Sequence, residues 1–220
     1  MRVRFLAFIG VMGCASWLPA PEPMRAIDHE RPGPRAACLF VFLPGQGDSP
    51  EGFERNGFVD DVARRRYSID MVAADATLGY YTRGVFSERL ARDVLLRRKQ
   101  RGYKEVWLVG NSMGGFGSLL YSRQRPVGEV TGVLALAPYL GSDSELLASI
   151  VRDGGLARWH APSKVATLNE HNYDRELWRW LKEVAAKNEP GPELYLGFGD
   201  RDKLYQPDSV LAAALPSDHV

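Results

Sequence analysis

The chain has 220 residues, 45% of them hydrophobic and 25% charged, a balance that suits one globular domain with a real core and not a disordered or fibrous chain. Its 28 Lys and Arg stand against 27 Asp and Glu, so there is no positive field of the kind that holds a nucleic-acid backbone, and nucleic acid is not an expected partner. Two cysteines, Cys14 and Cys38, and four scattered histidines, His29, His160, His171 and His219, supply neither a disulfide framework nor the short ligand spacing of a zinc site, so no metal is expected.

The chain opens with Arg2 and Arg4, followed by an almost wholly apolar run from Phe5 to Met12. That run is far shorter than the ~20 residues of a membrane span, and behind a charged start it has the form of a secretory signal. The following Val11-Met12-Gly13-Cys14-Ala15-Ser16 resembles the lipobox of bacterial lipoproteins, with an aliphatic residue three before the cysteine and glycine immediately before it. The resemblance implies that residues 1–13 are a signal peptide and that Cys14 is acylated. The mature protein is then lipid-anchored in the cell envelope, on the periplasmic or extracytoplasmic side. Ordinary cleavage near Leu18-Pro19-Ala20 is the alternative, and gives a secreted protein. Residues 14–36 contain Pro19, Pro21, Pro23, Pro32 and Pro34 and are expected to form an extended tether, because proline blocks helices and central strands.

From Ala37 short apolar runs alternate with helical patterns, which predicts a mostly parallel sheet with helices on both faces. Strands are predicted at Cys38 to Leu43, Ile69 to Ala73, Val106 to Val109, Val133 to Ala137 and Leu194 to Phe198. Runs this continuously apolar suit strands buried on both sides, and Cys38 fits there as a small apolar residue. Helices are predicted at Phe86 to Gln100, Gly114 to Arg123, Tyr173 to Ala186 and Pro207 to Leu215. In the third of these, Leu177, Trp180, Leu181 and Val184 make one stripe expected to pack on the body. Asp75 to Tyr81 is expected to line a pocket with aromatic rings. Residues 140–190 exceed an ordinary strand-to-strand connection and are expected to cap the carboxyl edge of the sheet.

The most specific pattern is Gly110-Asn111-Ser112-Met113-Gly114, behind the apolar Val106 to Val109 and before a helical stretch. A serine on a sharp strand-to-helix turn has strained dihedrals, and side chains two residues to either side would collide, which is why glycine stands at both places. The turn puts the hydroxyl at a helix N-terminus, where free N–H groups favour an oxyanion. With this nucleophile elbow, the body from about Ala37 resembles the α/β-hydrolase family. A second match is Leu43-Pro44-Gly45-Gln46-Gly47, which resembles the family's oxyanion loop with proline where histidine is common. The resemblance implies a three-layer α/β fold, Ser112 as nucleophile, and an oxyanion hole made by the backbone N–H groups of Gln46 and Met113. It also implies a serine esterase acting on small acyl esters without a cofactor.

In that family an acid and then a histidine follow the serine. Gly199-Asp200-Arg201-Asp202-Lys203-Leu204 fits the acid loop with Asp202 as the acid, and Asp200 is the competitor. The histidine belongs after one more helix and strand. His219 has the right order but stands about one element early, and His160 and His171 lie in the insertion. The expected fold therefore lacks its last strand, and the expected site has a serine, an oxyanion loop and an acid but no well-placed base. A catalytically impaired or truncated hydrolase fold, acting as a lipid-anchored binding module, is the competing expectation.

Overall fold

Six short strands, five of them mainly apolar, form one sheet in this computed structural model, which describes residues 18–30, 36–96, 100–165 and 172–220. The signal-peptide segment, Cys14 and His171 lie outside the described residues. The strands are β1 (Ala26–His29), β2 (Cys38–Leu43), β3 (Ile69–Ala74), β4 (Glu105–Asn111), β5 (Gly132–Leu136) and β6 (Glu193–Gly197). Their order is β1-β3-β2-β4-β5-β6, and only β1 runs antiparallel. Among the described residues no strand follows β6, and none of the helices is long and apolar enough to cross a membrane.

Right-handed crossovers put helices on opposite faces according to the direction in which the chain moves along the sheet. From β2 to β3 it travels one way, through α1 (Glu51–Arg55) and α2 (Phe58–Arg64). Phe53 and Val59 of these helices pack on Phe42, Met71, Ala73 and Val109. From β3 to β4 it turns back through α3 (Leu78–Thr82) and α4 (Phe86–Arg89), which continues as a π-helical segment, Leu90–Leu95. Phe86, Leu90 and Val94 join Val41, Val72 and Leu108 on the other face. The same face receives α5 (Met113–Gln124), α6 (Ser144–Arg152) and α7 (Tyr173–Ala185). Beyond β6 come α8 (Tyr205–Ala212) and a 3₁₀ turn, Ser217–His219. The face that carries α1 and α2 is covered only in part, for Trp107, Leu134 and Tyr195 on it are half-exposed.

The tether expected at residues 14–36 is corrected in its middle part. Its proline-free stretch Ala26–His29 pairs with β3 at the sheet edge, and Met24 is 3% exposed. Proline forbids a central strand but not this edge. The segment before it is pinned too, since Thr77 Oγ1 donates to the Pro19 carbonyl at 3.0 Å and Tyr80 Oη to that of Pro21 at 2.5 Å. Gly79 is required there, because a Cβ would lie 2.0 Å from the Pro19 oxygen. The Met24 N–H donates to Asp93 at 2.8 Å, and Asp93 is itself paired with buried Arg89 at 2.5 Å. A buried carboxylate with a guanidinium and a backbone donor has the partners that make its burial tolerable.

The insertion at 140–190 splits in two. Helices α6 and α7 bury Leu146, Ile150, Leu177, Trp178, Leu181 and Val184 in the main core, as the apolar stripe of the second helix predicts. Its link to α5 is Glu176, 0% exposed, which accepts from Arg123 at 3.0 Å and Arg179 at 3.2 Å. Removing one member of such a cluster strands the others without compensation, at a cost of about 3–5 kcal/mol. Glu176→Ala is therefore expected to lower the unfolding free energy by about 3–5 kcal/mol in a urea titration, and a loss below about 1 kcal/mol would mean that the arginines find other partners.

Candidate active site

In an open α/β sheet the ligand crevice lies outside the carboxyl ends of the strands, where successive connections diverge to opposite sides. Here that point falls between β2 and β4, because β3 lies on one side of β2 and β4 on the other. The loop after β2 carries Pro44 to Asp48, and the turn after β4 carries Ser112. The two motifs found in the sequence thus converge at the switch point.

Ser112 has φ 52° and ψ −111°, a left-handed conformation that a non-glycine residue holds only when its surroundings impose it. The surroundings do so by contact between backbones. A Cβ on Gly110 would lie 2.1 Å from the Gly114 carbonyl oxygen, and one on Gly114 would lie 1.9 Å from the Leu43 oxygen. Glycine at both positions is a steric requirement. The Ser112 N–H donates to the Leu136 carbonyl at 2.9 Å, and its carbonyl accepts from Phe116 at 3.1 Å and Tyr139 at 3.0 Å. Just after β5, Ala137 also has a positive φ of 41° and donates to the Gly197 carbonyl at 2.7 Å. Strained backbone therefore clusters at the carboxyl ends of β4 and β5.

The loop after β2 closes on this turn. A Cβ on Gly45 would stand 3.6 Å from the Cβ of Ser112. Gly45 accepts from the Asp48 N–H at 3.1 Å, and Gly47 has φ +83°. Such a turn leaves the N–H of Gln46 unused by its own closure. Met113 is the first residue of α5, so its N–H is one of the donors that a helix start leaves without an intrahelical partner. A small depression of ≈ 50 Å³ between Pro44, Gly45, Phe53, Phe58 and Asn111 adjoins the loop.

Aromatic rings flank the elbow helix on the other side. Phe116 contacts Tyr139 at 6.0 Å, Tyr173 at 5.6 Å and Tyr81 at 6.1 Å between centroids. Of the two tyrosines expected from the Asp75 to Tyr81 segment, Tyr80 is 1% exposed and spent on the Pro21 carbonyl. Tyr81 stacks on Phe86 at 4.4 Å, and burial pushes its hydroxyl well above the usual range. Asp174 of α7 accepts from Ser142 at 3.0 Å and Asp143 at 3.2 Å, holding the loop after β5 against the elbow.

Asp202 lies in the loop beyond β6, exposed, with its N–H on the Gly199 carbonyl at 3.1 Å and its Oδ1 accepting from Leu204 at 2.8 Å. Asp200 is exposed in the same turn. Two strand spacings, about 10 Å, separate the axes of β6 and β4, so Asp202 and Ser112 are not neighbours across the sheet. None of the described histidines stands between them. His29 lies on edge strand β1. The His160 side chain is 92% exposed and paired with Asp153 at 3.0 Å. His219 stacks on Tyr195 at 4.2 Å, with its Nδ1 2.9 Å from the carbonyl of Leu194. Leu194 stands near the amino end of β6, in register with Val133 and, through it, Leu108, four residues short of Ser112. Among the described residues no cluster of His, Cys, Asp and Glu could hold a metal ion.

Sequence reasoning passed over Asp208. It is 0% exposed on α8, and neither carboxylate oxygen has a hydrogen-bond partner among the described residues. The sequence offers no signal for it beyond its place on the buried side of a helix six residues past Asp202.

These features define the fold of the α/β-hydrolases. Solved structures with the same arrangement include the S-formylglutathione hydrolase FrmB of Staphylococcus aureus, with TM-score 0.53 and 14% identity over 80% of this chain and 66% of that one. A carboxylesterase of Nitrososphaera gargenis matches with TM-score 0.50 and 13% identity over 90% and 86%, and the monoacylglycerol lipase of Paleococcus ferrophilus with 0.50 and 16% over 87% and 84%. The chain thus spans slightly less than two thirds of the first of these. No family model matches the sequence, and no curated protein matches it.

Burial, reinforced by the charge of Asp202, pushes the Asp208 carboxyl up to about 7. An unfolded aspartate titrates near 3.9, so between about pH 4 and pH 7 the folded state holds a proton that the unfolded state has lost, and stability falls as pH rises. Asp208→Asn removes that slope. Relative to the parent it is expected to gain about 2–4 kcal/mol of stability between pH 4 and pH 8, measured by denaturant unfolding at both pH values; parallel profiles for the two proteins would contradict it.

Proposed function

We propose that the chain is a serine hydrolase of the carboxylesterase type, acting on small acyl esters from the extracytoplasmic side of the membrane, to which a lipid on Cys14 holds it. The observation that carries the catalytic part is the Ser112 turn, strained between two glycines that tolerate no Cβ and faced by the loop of Gly45 and Gln46. In this reading the Ser112 hydroxyl attacks the ester carbonyl. The N–H groups of Gln46 and Met113 stabilise the oxyanion, each by roughly 2.7–4 kcal/mol as such donors do. Asp202 orients the imidazolium that forms when a histidine takes the serine proton. The S-formylglutathione hydrolase, carboxylesterase and monoacylglycerol lipase that share the fold are consistent with ester chemistry.

One observation favours a second reading. The described histidines sit on β1, on the exposed face of the insertion and near the amino end of β6, and without a base a serine hydroxyl is a poor nucleophile. Loss of one triad member leaves only the residual rate supplied by the oxyanion hole and by binding. On that reading the chain is a catalytically impaired hydrolase fold that binds a small ester-like molecule.

A fluorophosphonate probe separates the two. The hydrolase reading expects covalent labelling within minutes, abolished in Ser112→Ala and reduced at least tenfold in Asp202→Asn. Labelling of the parent no faster than of Ser112→Ala establishes the impaired fold instead.

A further inference from the structure

Where the chain enters the domain fixes which side of the molecule a lipid on Cys14 would hold to a membrane. The first described residues lie at the carboxyl edge of the sheet. Pro19 and Pro21 accept hydrogen bonds from Thr77 and Tyr80, and the Pro19 carbonyl presses on Gly79 so closely that no side chain fits. These three residues follow the carboxyl end of β3. Strand β1 then runs down antiparallel to β3, with Ala26 opposite Ala74 and His29 opposite Met71, so the chain comes in at the top and descends. Tyr81, on the same short helix, reaches Phe86 and the elbow-helix residue Phe116.

Between Cys14 and Leu18 lie only three residues, Ala15, Ser16 and Trp17. Four peptide steps span at most about 14 Å. Strand β4, seven residues long, covers about 23 Å from its amino to its carboxyl end at ~3.3 Å per residue. A tether shorter than the strands, rooted at their carboxyl edge, cannot let the domain turn over.

We propose that the carboxyl edge of the sheet at α3, the edge onto which the Ser112 turn opens, is a membrane-facing surface, held within about 14 Å of the bilayer by the short link to Cys14. The proposal rests on lipidation of Cys14. The partner is the lipid surface itself, selected by the length of chain between the anchor and Leu18, whose carbonyl also lies against Gly79. Residues at the opposite edge, such as Val127 in the turn between α5 and β5, face away from the bilayer.

The test uses the full chain, lipidated in bacteria, in a Cys38→Ala background and reconstituted into phosphatidylethanolamine and phosphatidylglycerol vesicles that carry a nitroxide headgroup quencher. A fluorophore is placed by Arg83→Cys, exposed just after α3, or by Val127→Cys, 68% exposed at the far edge. The expected result is at least threefold stronger quenching at position 83 than at position 127. Inserting twenty Gly and Ser residues between Ser16 and Trp17 is expected to erase that difference. Cys14→Ser is expected to leave the vesicles. If Cys14→Ser stays bound like the parent, the anchor is wrong and the orientation falls with it. If it is released while the two positions of the parent quench equally, or position 127 quenches more, the anchor stands and the orientation is overturned. A difference that survives the long insertion also overturns it, since the short link would then not be its cause.

Discussion

One steric constraint organises the carboxyl edge of this protein, the passage of three backbone segments through a space that admits no Cβ. Gly110 meets the backbone of Gly114, and Gly114 meets the carbonyl of Leu43. The loop after β2, the end of β4 and the start of α5 therefore touch main chain to main chain. Ser112 has no freedom to relax its positive φ, because its N–H is tied to β5 and its carbonyl to Tyr139 and Phe116. Strain of about 1–3 kcal/mol per such residue persists only where the neighbours over-determine it. Here three strands and a helix do so.

The insertion and the N-terminal segment serve that same edge from the outside. Helix α7 holds the loop after β5 through Asp174 and holds α5 through Glu176. The N-terminal segment braces α3 through the Pro19 and Pro21 carbonyls and the π-helical segment through the Met24 N–H. Both attachments add buried or half-buried charge and backbone groups to the apolar contacts of Leu177, Leu181 and Met24. That choice gives direction: an ion pair or a donated N–H fixes the register of a segment that a smooth apolar contact would let slide.

Much of the fold is legible in the sequence because strands buried on both faces leave continuous apolar runs. The predicted Cys38 to Leu43 strand is reproduced to the residue, and the other four shift by one or two at their ends. Helices α5 and α7 are legible from the elbow pattern and from the Leu177, Leu181, Val184 stripe. What escapes is short or irregular. Helices α1, α2 and α3 run five to seven residues, too few for a periodic stripe to emerge. Strand β1 hides among prolines, and its pairing depends on a partner forty-odd residues away. The predicted Phe86 to Gln100 helix has the right apolar face, but it changes to wider π turns after Arg89, a difference of hydrogen-bond register that periodicity cannot resolve. In the candidate site Ser112 and the Gly45 loop are legible because chemistry restricts their residue types. Asp208 is not, since a lone aspartate in an amphipathic helix looks the same whether it faces water or protein.

Topology also sets how far Ser112 stands from the loop of Asp202. Ser112 follows β4 and Asp202 follows β6, with β5 between them, so the two are not neighbours across the sheet, and on the hydrolase reading proposed above a histidine would bridge the roughly 10 Å between those strand axes. The loop after β5 does not supply it. That loop is occupied by Ala137, Pro138 and Tyr139, whose backbone is spent on Gly197 and Ser112 and whose Pro138 ring lies against Gly115. On that reading a bridging group would come over the top of the edge, past Asp202, or from the uncovered side of the sheet where Trp107, Leu134 and Tyr195 are half-exposed. His219 already stands on that side, stacked on Tyr195, but at the wrong end of the strand. Three residues of register, about 10 Å along β6, separate Leu194 from the strand's end at Gly197, and the loop of Asp202 lies beyond that. That interval divides a histidine that closes a sheet edge from one that could serve Ser112.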